Sequence, residues 1–205
     1  MTRRLVLAAA IIMLAAVQLP APRASAAGDP AAMVQSLGNQ TLTVLRRDVP
    51  PAERLARFRV LFHRYFDVPG IARFVLGRYW LSASPRQREQ FVNLFDEYIT
   101  AAYSDRLSKY GGETLRVTGS RPGPDGALVA SEIVRPSGAP SIKVDWRITN
   151  EGGKPRISDV IVDGVSLAVT QRSEFASVIQ RDGGQVSGLM QLMREKTASS
   201  AGSGE

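Results

Sequence analysis

The residues able to move a proton, attack a carbon or hold a metal are few. The chain has one histidine, His63, and no cysteine. A His/Cys zinc site therefore has no ligand set to draw on, and His63, inside an arginine-rich stretch, reads as a surface or boundary residue. Ser/His/Asp catalysis would need a serine on a sharp turn facing His63, and no G-x-S-x-G supplies one. Asp159 and Asp163 flank Val160, Ile161 and Val162. They have the type for a cation site or an acid/base pair, but lone carboxylates at a strand end ordinarily form turns. Asp96 and Glu97 are consecutive on a helix and cannot point the same way. No P-loop or G-x-G-x-x-G occurs. The sequence thus names no catalytic residue and no metal ligand.

What the chain has in quantity is apolar surface. Twelve of its 14 aromatic residues lie between Phe58 and Tyr110, leaving only Trp146 and Phe175 outside. The stretch FDVPGIARFVLGRYW, residues 66–80, mixes that surface with Pro69, Gly70 and Gly77. Such a cluster fits an ordinary core, and it also fits the lining of a pocket for an apolar ligand. Periodicity does not separate the two. Charge is uneven as well, with ten arginines against three acids over residues 46–88 and 13 basic against 15 acidic over residues 89–205. The N-terminal helices therefore carry a basic surface, suited to an anionic head group, an anionic membrane or an acidic protein. The modest net charge of the secreted chain argues against nucleic acid.

The elements that would position these groups follow from period and punctuation. Helical spacing runs from Ala31 to Arg47, and Pro50 and Pro51 open a second helix that ends near Phe66. Asp67 caps a short helix over Val68–Leu76, with Gly77 as its left-handed C-terminal residue. Ser84, Pro85 and Gln87 form a capping box, predicting a long helix that Gly111 and Gly112 end. The period then switches from 3.6 to 2, with strands near 114–120, 127–135, 141–149 and 156–162. These four form an antiparallel meander. Ile142, Val144, Trp146 and Ile148 share one face of the third strand. Residues 165–180 carry both periods, and the helical one is preferred from Ser166. A short helix through Leu189, Met190, Leu192 and Met193 follows. The class is α+β, with N-terminal and C-terminal helices packed on a twisted sheet of about four strands.

The ends read differently from the middle. Arg3 and Arg4, the apolar run Leu5–Leu19 and the small residues Ala24, Ser25 and Ala26 make residues 1–26 a cleavable secretory signal. Removing it takes three arginines from 26 basic residues against 19 acidic ones, so the formal charge falls from +7 to +4. Residues 27–195 form one domain, and the small polar tail 196–205 is expected to be disordered.

Three segments resemble a known family: FDVPGIARFVLGRYWLSASPRQREQFVNLFDEYITAAYSDRLSKY, then VDWRI, then ISDVIVDGVSLAVTQRSEF. They are similar to the MlaC family, the toluene-tolerance or ABC-transporter auxiliary component, over roughly residues 31–193. The part around Asp159, Gly164, Ser166, Arg172 and Phe175 is the most specific. The resemblance implies a periplasmic, non-enzymatic carrier that needs no cofactor and holds lipid as cargo. Its implied partners are phospholipid, an inner-membrane ABC transporter bearing MCE domains, and an outer-membrane lipoprotein–porin complex. A sister branch is associated with hopanoids.

Together with the apolar faces, the family's helix-over-sheet arrangement implies a cavity lined by Phe74, Leu76, Trp80, Phe95, Tyr98, Tyr103, Trp146, Ile148, Ile161, Leu167, Phe175 and Ile179. Arg73, Arg78 and Arg172 are candidates for contact with a head group or a partner. Arg172 has an alternative structural role, paired with Asp159 or Asp163. Two rivals stand beside the carrier. A small hydrolase or isomerase would need a buried acid/base group, and a non-lipid adaptor would have a filled core where a carrier has a cavity on the order of 1,000 Å³.

Overall fold

The computed structural model describes residues 28–46, 50–108 and 110–202. Residues 1–26, expected to be a secretory signal, lie outside them. Seven helices and five strands follow the order α1 (Pro30–Arg46), α2 (Pro51–Tyr65), α3 (Val68–Leu76), α4 (Tyr79–Ser82), α5 (Pro85–Ser108), β1 (Thr114–Gly123), β2 (Gly126–Val134), β3 (Ile142–Glu151), β4 (Lys154–Val162), β5 (Val165–Ser166), α6 (Leu167–Arg181) and α7 (Val186–Gly202). The expected α+β class holds, with two corrections. A fifth, two-residue strand pairs Val165 with Val162 and Ser166 with Ile161. Of the tail expected to be disordered, residues 196–202 continue α7, and residues 203–205 lie outside the described residues.

Local chemistry sets the boundaries. The capping box forms in both directions: the Gln87 amide donates to Ser84 Oγ at 3.2 Å, and the Ser84 amide donates to Gln87 Oε1 at 2.9 Å. Asp67 accepts from the Gly70 amide at 2.9 Å to start α3, and Gly77 ends it at φ 59°. Ser166 accepts from the Val169 amide at 3.0 Å to start α6.

The sheet is an antiparallel meander in the order β1-β2-β3-β4-β5. The helices α1 and α2 cover one of its faces, with Val34, Leu37, Leu61 and Tyr65 packed on Val129, Ile148 and Ile157. The close approach of α1 to β1 needs Gly38, where an added Cβ would lie 2.6 Å from Leu115 Cδ2. The other helices, α3, α5, α6 and α7, pack on one another around Phe91, Phe95 and Phe175. Between the two groups the chain pairs with the open edge of β4: Phe66 bridges Ile157, and the Asp67 amide donates to the Ile157 carbonyl at 2.9 Å.

Candidate functional site

The apolar interior divides into two clusters. In the helical one, Phe175 of α6 meets the edges or faces of Phe91, Phe95 and Tyr98 of α5, with ring centroids 6.0–6.4 Å apart. Leu76 and Ile179 are buried beside them, and Trp80 and Tyr98 pack against the cluster half-buried. A cleft of about 330 Å³ opens within this layer. Phe175, Val178, Leu189, Leu192 and Met193 form its apolar wall, and Glu174, Arg181 and Lys196 lie at its polar margin. That volume is near the lower end for ligand pockets, about 300–1,000 Å³.

The sheet cluster holds Trp146 and Ile148. The Trp146 indole donates to Ser131 Oγ at 2.8 Å, and Ser131 in turn donates to the Val144 carbonyl at 2.9 Å. The polar end of the indole is therefore satisfied while its body faces α1 and α2.

The two clusters share one partly buried side chain, Phe66, which packs 4.9 Å from Phe62 of the helical cluster. The residues expected to line a single space are consequently split between two layers. Ile161 departs furthest: it pairs with Asp145, whereas Trp146 pairs with Val160, so Ile161 and Trp146 point to opposite faces. The cause is a bulge. Ile148 pairs with Ile157 and Arg147 with Asp159, which leaves Ser158 as an extra residue that reverses the alternation of β4. Leu167 is half-buried in the first turn of α6, and Tyr103 is half-buried on α5. Phe74 points outward, with the Arg172 guanidinium 5.2 Å from its ring centroid.

That contact also decides Arg172, which lies against Phe74 and Gly77 and not against Asp159 or Asp163. Asp159 is buried and accepts from Ser166 Oγ at 2.7 Å and the Ala168 amide at 3.1 Å, tying α6 to β4. Asp163 accepts from the Lys143 amide at 3.1 Å in a turn. Arg73 and Arg78 are exposed, and Arg78 stacks on Tyr79.

His63 is exposed, with Nε2 2.9 Å from Oδ1 of the buried Asp96; Arg59 donates to Oδ2 of the same carboxylate at 3.0 Å. This triad joins α2 to α5. Sequence reasoning does not reach it, because His63 and Arg59 lie on α2 and Asp96 on α5, and no local pattern links the two helices. It also left Leu189, Leu192 and Met193 outside the candidate site, although their helix was visible. Among the described residues no three His, Asp or Glu side chains converge as a metal site.

Fold and site define an α+β domain with an apolar interior in two layers, whose buried carboxylates hold helices in place. A family model described as MlaC protein matches residues 35–195, and the chain belongs to the MlaC family. It is 24% identical over 149 residues to the intermembrane phospholipid transport system binding protein MlaC of Haemophilus influenzae, covering 71% of this chain and 64% of that one. It is 28% identical over 120 residues to the toluene tolerance protein ttg2D of Pseudomonas putida, covering 57% and 55%. The chain thus spans under two thirds of the length of both relatives. A phospholipid-binding protein from Ralstonia solanacearum, solved in complex with a phospholipid, has the same fold at a TM-score of 0.72 and 23% identity, over 84% of this chain and 99% of that one.

Proposed function

We propose that the protein is a soluble periplasmic carrier of phospholipid, taking acyl chains into its apolar interior and passing them between an outer-membrane lipoprotein–porin complex and an inner-membrane MCE/ABC transporter. The observation that carries this reading is the division of the interior into two apolar layers that share only Phe66. Chains can lie along such a boundary once the helices part from the sheet, without breaking the ladder of β1–β4. At about 0.8 kcal/mol per buried methylene, two acyl chains contribute a gross stabilisation on the order of 20 kcal/mol. That figure is relative to water, so it sets how completely chains taken from a membrane must stay covered. Membership of the MlaC family and the names of the Haemophilus and Ralstonia relatives support the choice of phospholipid.

The packed interior favours a second reading, an adaptor that bridges envelope proteins and holds no lipid. Native mass spectrometry of protein purified from the periplasm without detergent, followed by lipid extraction, separates the two. Near-stoichiometric phospholipid is the expected result. A hopanoid would move the protein to the sister branch, and a protein that neither carries lipid nor takes it up from vesicles would be an adaptor. In the same assay Trp146→Glu should lower lipid content severalfold while the protein stays folded by circular dichroism.

A further inference from the structure

The outer surface carries a second feature, independent of what the interior holds. Six large hydrophobic residues are prominently exposed among the described residues, and four of them, Phe74, Leu81, Val165 and Val169, come from two short stretches of chain. Leu81 is 78% exposed, Val165 57% and Val169 52%. The two stretches meet in space. Arg172 of α6 lies over Phe74, and its Nε is 2.9 Å from where a Gly77 Cβ would sit, so the first turns of α6 lie against the end of α3. Val169 is one turn from Arg172 on the same side of α6. Leu81 follows in α4, held from behind by Arg88, which donates to the Trp80 and Leu81 carbonyls at 2.8 and 3.2 Å.

The charge of this face is mainly positive, with the exposed Glu174 two residues beyond Arg172. Residues 68–88 contain Arg73, Arg78, Arg86 and Arg88 and no acid, and residues 164–173 contain Arg172 and no acid. The nearest acid along α6, Glu174, is bonded to Gln171. Arg73, Arg78, Arg86 and Arg172 are exposed, and no ion pair among the described residues engages them. Two are backed by aromatic rings, Arg78 at 4.9 Å from the Tyr79 centroid and Arg172 at 5.2 Å from Phe74. A ring beneath a guanidinium steadies its plane; Arg78 also donates from Nη2 to the Tyr79 hydroxyl at 2.9 Å, which leaves its other N–H groups for phosphate oxygens.

We propose that the face formed by the end of α3, α4 and the first turns of α6 docks on an anionic phospholipid bilayer. The arginines meet the head groups, while Leu81, Phe74 and Val169 enter the boundary between head groups and chains, with Tyr79 and Trp80 at the level of the interface. A bilayer fits better than an acidic protein because the apolar side chains protrude singly between the arginines. A protein partner would need a matching pocket for each anchor, whereas an interface accepts them at any spacing.

Flotation of the full chain with vesicles of phosphatidylcholine and phosphatidylglycerol, about three to one, tests this. Lipid taken into the interior leaves the protein in the soluble fraction, so flotation reads the surface alone. Wild type should float with these vesicles at low salt, float far less at about 0.5 M salt, and not float with pure phosphatidylcholine. Arg73→Gln/Arg78→Gln/Arg172→Gln should reduce the bound fraction about tenfold or more, and Leu81→Ser severalfold. Arg121→Gln, on the distant β1–β2 hairpin, should bind as wild type does. Wild type that never floats, or folded face variants that float equally well, would overturn the proposal. So would a soluble wild type whose Leu81 position photocrosslinks to an acidic envelope protein, which would assign the face to a protein.

Discussion

The helical layer and the sheet layer are both apolar but are built by different means. The helical one includes rings and thioethers, Phe91, Phe95, Phe175, Met190 and Met193, among aliphatic residues, and no backbone hydrogen bond joins α3, α5, α6 and α7 among the described residues. The sheet layer packs mainly branched aliphatic residues on a hydrogen-bonded ladder, with the Trp146 indole pinned by Ser131. Methionine and aromatic side chains can repack with little loss, because their contacts are many and individually weak. A strand cannot shift by one residue without turning its buried face outward. The difference teaches which side can move: cargo would be admitted by rearranging the helical side against a fixed sheet.

Four perturbations sharpen or break this contrast. The largest is loss of a buried side chain from either layer. Phe91→Ala should destabilise by about 3–5 kcal/mol and Ile157→Ala by about 2–5 kcal/mol in urea unfolding. If the layers are separate, the milder pair Phe91→Leu and Ile157→Val should add within about 0.5 kcal/mol. A coupling well above that would merge the layers into one core, while Phe66→Ala should couple to both.

Next comes the polar tie between the layers. Asp159→Ala removes the acceptor for Ser166 Oγ and the Ala168 amide, and should cost about 1–3 kcal/mol. Hydrogen exchange should then quicken in the first turns of α6 and leave β2 and β3 unchanged. Exchange that quickened equally in both layers would show that they open together.

Smaller still is Ser84→Ala, which takes the capping box from α5 alone and should cost about 1 kcal/mol. Its effect on exchange should stay within the helical layer.

The smallest effect belongs to the sheet. The Arg116 guanidinium, 2.7 Å from Glu132, holds that carboxyl below the usual range, with smaller help from Ser141 and Lys143. Because the folded value is depressed, the stabilisation is present above the unfolded carboxyl range, about 4.3, and is lost as pH falls through the folded value. Arg116→Gln should raise the Glu132 midpoint in an NMR titration and flatten the acid limb of stability. An unmoved midpoint would show that Arg116 does not hold the carboxyl.

Much of this was legible beforehand wherever a signal acts within a few residues. Ser84 and Gln87, Asp67 and Gly77, and the switch to period 2 after Gly112 each act over one turn or one strand. The helices they define have those residues at their ends, and the face Ile142–Val144–Trp146–Ile148 is the buried one. The fifth strand escaped notice because two residues carry no period. Ile161 is expected in the same lining as Trp146, and the two face opposite ways because Ser158 bulges only in relation to β3, a relation that β4 does not contain. Arg172 is expected at a head group or a partner, with pairing to Asp159 or Asp163 as the structural alternative; its neighbours are Phe74 and Gly77, almost a hundred residues earlier.

The sequence by itself determined the α+β class, the order of its longer elements and the family, because caps, turn glycines and periodicity are local and additive. Only the tertiary structure decided that the apolar residues fall into two layers, that Phe66 joins them, and that Arg172 of α6 lies over Phe74 and Gly77 at the end of α3. Those facts depend on which distant surfaces meet, and burial of apolar area is indifferent to chain distance until packing and strand register select one arrangement.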